Sequence, residues 1–195
     1  MFQDLNLNVD RSYALVSIYF LGREEIGRRR LSQRLGLTES RTRTMLEHLR
    51  VEGYVEAGET MELTTTSGEK IFKEVDEKIR EIREVDLENI SMRGENIAAL
   101  MREVEIDSSI KIRDEAVRGG ARGMTILTYE DGFNFPEEQK PDTEKINAEL
   151  EYLEERFEAE DGDKLLISSA EELEDAKSGL WSAVAAVLDL QHLDR

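Results

Sequence analysis

The chain of 195 residues contains no cysteine, which excludes disulfides, thiolate metal sites and cysteine nucleophiles. Histidine is nearly absent as well. His48 and His192 stand far apart, which argues against a histidine-rich metal centre and leaves a carboxylate site for a hard cation as the remaining metal chemistry. We expect no metal and no cofactor. No apolar run approaches the roughly 18 residues of a membrane-spanning helix. The opening MFQDLNLNVDRS lacks the basic and apolar regions of a signal peptide. A soluble, cytoplasmic protein without a membrane partner is expected.

What is abundant is acid. The net charge is −18, and it is unevenly placed. Residues 1–70 hold ten Lys/Arg against eleven Asp/Glu, whereas residues 71–195 hold sixteen against thirty-three. Between Arg28 and Arg43 stand six arginines (28, 29, 30, 34, 41 and 43) and one acid, Glu39. Positive charge concentrated on one short stretch is the electrostatic footprint of nucleic-acid binding. A solvated helix face accounts for the same residues, and an acidic surface with 18 Arg to 8 Lys also suits a salty or hot cytoplasm.

The stretch from Ile26 to Thr64 carries the most specific order of parts. Leu31 and Leu35 share a face of a short helix, Gly36 offers a left-handed exit, and Thr38 offers a hydroxyl cap for the next helix. Thr42, Met45, Leu46 and Leu49 recur at spacings of three and four, so they face inward. Ser40, Arg41, Arg43, Thr44, Glu47 and His48 are left outward. Gly53 ends this second helix, and Tyr54–Ala57 and Met61–Thr64 are predicted strands around a Gly58-Glu59-Thr60 tip. Helix, turn, helix and hairpin in that order read as a helix-turn-helix followed by a wing.

At Ile26-Gly27-Arg28, Leu31, Leu35-Gly36-Leu37-Thr38, Arg43, Leu46, Leu49 and Gly53 the chain resembles winged helix-turn-helix DNA-binding domains, in the form carried by some bacterial sugar-operon regulators and many archaeal regulators. The resemblance implies that helix 39–52 enters the major groove of double-stranded DNA. Arg41 and Arg43 then read guanine edges or phosphates, with Ser40 and Thr44 as shorter-range contacts, while Arg28, Arg29, Arg30 and Arg34 grip the backbone. One departure is the acid Glu59 at the wing tip, where DNA-binding wings often carry Lys or Arg. The whole chain also resembles a small, uncharacterised archaeal family with such a winged helix and a C-terminal domain of unknown function. Arg113-Asp114-Glu115-Ala116 through Gly119-Gly120-Ala121-Arg122-Gly123 carries that second resemblance, which supplies no mechanism.

Around the helix-turn-helix, Arg11–Leu21 is a predicted helix that Gly22 ends, with Asp10 as its cap. Thr66-Ser67-Gly68-Glu69 has the capping-box pattern, and Ile71, Val75, Ile79, Ile82 and Val85 form a stripe. A connecting helix over 67–86 is therefore expected, serving either as a homodimer contact or as a linker packed on its own second domain. From Asp86 the period changes. Ile97–Met101 reads as a buried strand, with a helix as the alternative. A helix over 110–118, a strand over 124–129 and an Asp131-Gly132 hairpin turn follow. Then come an Asp142-capped helix to Ala159, a strand over 164–167, and a last helix opened by a Ser169/Glu172 capping box. The expected fold is α+β, with the winged helix-turn-helix (1–66) joined by a long helix (67–86) to an α/β sandwich (87–195).

Little in the second half points to catalysis. Arg118-Gly119-Gly120-Ala121-Arg122-Gly123 would suit a phosphate or carboxylate cradle. Its order, helix then glycines then strand, runs opposite to a P-loop, and a helix end and tight turn need those glycines anyway. If a small anionic effector binds, Arg113, Arg118 and Arg122 are its expected contacts. Asp114-Glu115 is adjacent on a helix and points about 100° apart, so it is no carboxylate pair. No catalytic residue is expected. The leading reading is a DNA-binding transcriptional regulator that dimerises or senses an effector through its C-terminal domain. The alternative is a winged-helix protein-interaction module that does not bind DNA.

Overall fold

The computed structural model of the protein describes residues 11–58, 62–136 and 143–190. It divides into two compact units, Met1–Glu77 and Lys78–Arg195.

The first unit opens with three helices: α1 (Arg11–Arg23), α2 (Arg28–Leu35) and α3 (Glu39–Val51). Gly36 takes φ 69°, the left-handed conformation that ends α2 and lets its N–H and the next return to α2 carbonyls. Thr38 caps α3, its hydroxyl accepting from Arg41 N–H. The predicted inward set of α3, Thr42, Met45, Leu46 and Leu49, is buried. Leu31 and Leu35 of α2 and Ala14, Leu15 and Ile18 of α1 are buried as well, each fully buried leucine contributing about 1.5–3 kcal/mol. The Ser17 hydroxyl, buried in the same core, donates to the Tyr13 carbonyl at 2.6 Å, with Met45 Sδ 3.3 Å from its oxygen. Strands β1 (Val55–Ala57) and β2 (Glu62–Thr64) pair antiparallel, and α4 (Thr66–Asp76) follows. The Glu59-Thr60 tip and the cap residue Asp10 lie outside the described residues.

Three expectations for these joints are corrected. Helix α1 runs past Gly22 to Arg23, because Gly22 packs without a side chain against the Phe72 ring. The cap of α4 is Thr65 rather than Thr66, its hydroxyl accepting from Gly68 N–H. Most consequentially, there is no long helix over 67–86. Helix α4 stops at Asp76, and Ile79–Val85 is a strand, β3. The I-R-E-I-R-E-V repeat supplies an apolar residue every third position, which a helix and an irregular strand both tolerate. Pairing with the wholly buried run Ile97–Met101 decides for the strand, with a bulge between Ile79 and Glu81 accommodating the odd spacing.

The second unit holds β3, β4 (Glu95–Met101), α5 (Ser109–Arg118), β5 (Gly123–Tyr129), β6 (Phe133–Asn134), α6 (Glu144–Arg156), β7 (Lys164–Ala170) and α7 (Leu173–Leu190). The five strands form one sheet in the order β3-β4-β7-β5-β6, antiparallel at every pairing. Mixed helix and sheet in this arrangement is α+β. Alternation along the central strands feeds two cores. Ala98, Leu100, Leu127, Leu165 and Ile167 join Phe133, Phe157 and the α6 residues Ile146 and Leu153 on one face. Helices α5 and α7 lie against β4, β5 and β7, and Trp181 of α7 is wholly buried. Ser169 is buried inside β7, so it does not open a capping box, and Thr143 caps α6. The predicted cap Asp142 lies outside the described residues.

Candidate nucleic-acid interface

The cap at Thr38 and the buried stripe of α3 together fix which α3 side chains reach solvent. Ser40, Arg41, Arg43, Thr44 and Glu47 are exposed. Ser40, Arg41 and Thr44 are one helical turn apart or less, so they share a strip of the helix. The Thr44 hydroxyl donates to the Ser40 carbonyl, which fixes its rotamer and leaves its oxygen as an acceptor. Arg41 makes no ion pair among the described residues. Arg43 lies 3.8 Å from Glu47, with both side chains more than half exposed. Such a pair is worth about 0.5 kcal/mol at most and yields readily to a phosphate.

The α2 arginines divide into two kinds. Arg28 and Arg29 are exposed and carry no ion pair among the described residues, beside the start of α2, where Gly27 provides no side-chain cap. Arg30 and Arg34 converge on one carboxylate, that of Glu24, at 3.4 and 2.9 Å. Arg34 also stands over the Phe20 ring at 5.7 Å. It is therefore half-buried and already balanced, a brace between α1 and α2 as much as a free cation. Glu24 is the residue that sequence reasoning missed. It sits in the loop after α1, and no periodicity connects it to partners six and ten positions later.

The expected effector residues do not converge in this way. Arg118 is paired with Glu115 on its own helix, and Arg122 with Glu171 at 2.5 Å. Arg113 is half-buried. The glycines between them have packing roles. A Cβ on Gly119 would meet the Ser178 carbonyl at 2.8 Å, and one on Gly179 of α7 would meet the Ala121 Cβ at 2.4 Å, so α5 and α7 meet here through glycine. The second unit does contain one built anion site, filled by its own side chain. The Glu149 carboxylate accepts from the N–H groups of Glu88, Asn89 and Ile90 and from the Asn89 amide. Burial raises the Glu149 pKa, but these donors outweigh it and hold it below the usual glutamate value.

Among the described residues no group of three or more His, Asp or Glu side chains is placed to hold a metal ion, and no helix is long and apolar enough to cross a membrane.

Comparison with known proteins bears chiefly on the second unit. The family described as a domain of unknown function (DUF4443) matches residues 88–188, about half of the chain, with four of the five strands of the sheet and nearly all of its three helices. The chain belongs to the DUF4443 family. Among solved structures it is similar to "Hypothetical protein PH0730 from Pyrococcus horikoshii OT3", at 25% identity and a TM-score of 0.71, over 92% of this chain and 94% of that one. DUF4443 and this neighbour agree with an uncharacterised archaeal two-domain family. No curated protein matches the chain.

Proposed function

We propose that the first unit is a winged helix-turn-helix that binds double-stranded DNA, and that the protein is a transcriptional regulator acting as a homodimer. The observation that carries this reading is the exposed Ser40-Arg41-Thr44 strip of α3, held outward by the Thr38 cap and by the buried stripe behind it. In the bound state α3 lies in the major groove. Arg41 and Arg43 donate to guanine edges or phosphates, and Arg28 and Arg29 hold the backbone. Two copies reading two half-sites suit this geometry, since helix-turn-helix proteins commonly bind as two-fold dimers.

Titration of fluorescent random-sequence duplex with the full chain, across a salt series, tests the reading. A log–log salt slope of about −0.9 per phosphate contact is expected, so three or four contacts give a slope near −3. Absence of binding at low salt, from a folded protein, overturns it.

The second reading, a winged-helix protein-interaction module, is favoured by one observation. Glu24 neutralises two of the six arginines from within, which leaves a weaker field than the sequence promises. Its partner would be a basic protein surface facing the acidic second unit. An effector at Arg113, Arg118 and Arg122 forms no part of the proposal, because two of these guanidinium groups already hold carboxylates.

A further inference from the structure

Strand β3 stands at one end of the five-stranded sheet, and among the described residues nothing pairs with its outer edge. It is seven residues long, whereas β6 at the opposite end has two. A long open edge invites pairing with another strand, and charges along it oppose such pairing unless they meet opposite charges on the partner. Here the charges alternate: Ile79-Arg80-Glu81-Ile82-Arg83-Glu84-Val85.

We infer that β3 pairs antiparallel with β3 of a second copy of this chain, about a two-fold axis through Ile82, and so joins two sheets into one of ten strands. The register follows from charge. An axis normal to the sheet keeps each face on its own side, so every residue must oppose one an even number of positions away. An axis through Arg80 or Arg83 sets guanidinium against guanidinium. An axis through Glu81 or Glu84 sets carboxylate against carboxylate. Through Ile82, Glu81 opposes Arg83 of the copy, whereas Arg80, at the bulge and held by Glu160 and Asp163, and Glu84, paired with Lys177, take no part. Of the five, this one leaves no like pair opposed.

The side chains agree with this register. Glu81 and Arg83 oppose Leu100 and Ala98 of β4, so they share the α6 face, where they are paired with each other at 2.5 Å and Arg83 lies over Phe157. Doubling the strand turns that pair into four charges alternating in sign around the axis. Ile82, half-buried now, is covered by its own copy on the other face. Such an interface is isologous, each residue meeting the partner position that meets it. The inference deepens the homodimer reading above and does not depend on DNA. A dimer that ignores DNA leaves it standing.

The test uses light scattering on the full chain at about 50 µM, with no DNA present. The native protein is expected at twice the 22.4 kDa chain mass. Arg83→Glu alone opposes Glu81 with a carboxylate, and Glu81→Arg alone opposes Arg83 with a guanidinium, so each is expected as a monomer. Mixing the two single variants restores opposite charges across the interface only, while each strand keeps its internal repulsion, and a heterodimer is expected. Ile82→Cys, the single thiol of an otherwise cysteine-free chain, is expected to oxidise to a covalent dimer, since directly opposed Cα atoms lie about 4.5–5.5 Å apart. A monomeric native protein overturns the inference. So does a dimer that is indifferent to both charge reversals and fails to cross-link through Ile82→Cys.

Discussion

The guanidinium of Arg34 lies 2.9 Å from the carboxylate of Glu24, which also holds Arg30 at 3.4 Å. One loop residue thus restrains two of the six arginines between Arg28 and Arg43. Glu24→Gln releases both arginines and removes an opposing charge. On the proposed function it raises DNA affinity several-fold at low salt and steepens the salt slope by about one to two contacts. The accompanying loss of fold stability is expected at about 1 kcal/mol or less, because these pairs are partly solvated. Parallel anisotropy and urea titrations of the variant check both halves of this expectation.

The Glu149 carboxylate predicts a pH dependence of the second unit. Its pKa is lowered in the folded state, so its contribution is present above the ordinary glutamate pKa and is lost as pH falls through the folded value. At neutral pH, Glu149→Gln should cost about 1–2 kcal/mol, allowing for partial solvent screening of the four donated hydrogen bonds. Native and variant stabilities should converge on acidification below about pH 4, the region of the free carboxyl pKa. Urea midpoints measured at pH 7 and pH 3.5 read this directly. A gap that persists unchanged at pH 3.5 would mean that the carboxylate charge is not the cause.

Gly68 offers a test in the first unit. In an exposed helix Gly→Ala gains about 1 kcal/mol. Here a Cβ would stand 2.0 Å from the Tyr54 carbonyl oxygen, a backbone atom that cannot rotate away. Gly68→Ala is therefore expected to destabilise the first unit by about 1–3 kcal/mol, the range of an overpacked site. A thermal melt that rises instead would contradict the packing of α4 on the Tyr54 turn.

Much of the first unit was legible because its signals are local. Gly36 needs a left-handed φ and Thr38 caps within three residues, so neither depends on distant chain. The end of α4 was not legible, because Ile79, Ile82 and Val85 continue the helical stripe of Ile71 and Val75, and what stops it is a partner strand whose paired residues lie eleven to twenty-two positions away. Ser169 and Glu172 imitate a capping box for a related reason. Burial between β4 and β5 holds Ser169 extended, against its local preference. The outward strip of α3 was readable from its buried side. The partial neutralisation of Arg30 and Arg34 was not, since Glu24 lies in a loop and periodicity is silent there.

The central claim is that α3 presents Arg41 and Arg43 to DNA, and the double variant Arg41→Ala/Arg43→Ala tests it most directly. Both side chains are exposed and outside the core, so the fold should be unchanged within about 0.5 kcal/mol. Binding to duplex DNA at fixed low salt, measured by fluorescence anisotropy, is expected to weaken at least tenfold, from two contacts worth about 1–3 kcal/mol each. The salt slope should become shallower by up to two contacts. An unchanged affinity and slope in a folded double variant would contradict the claim.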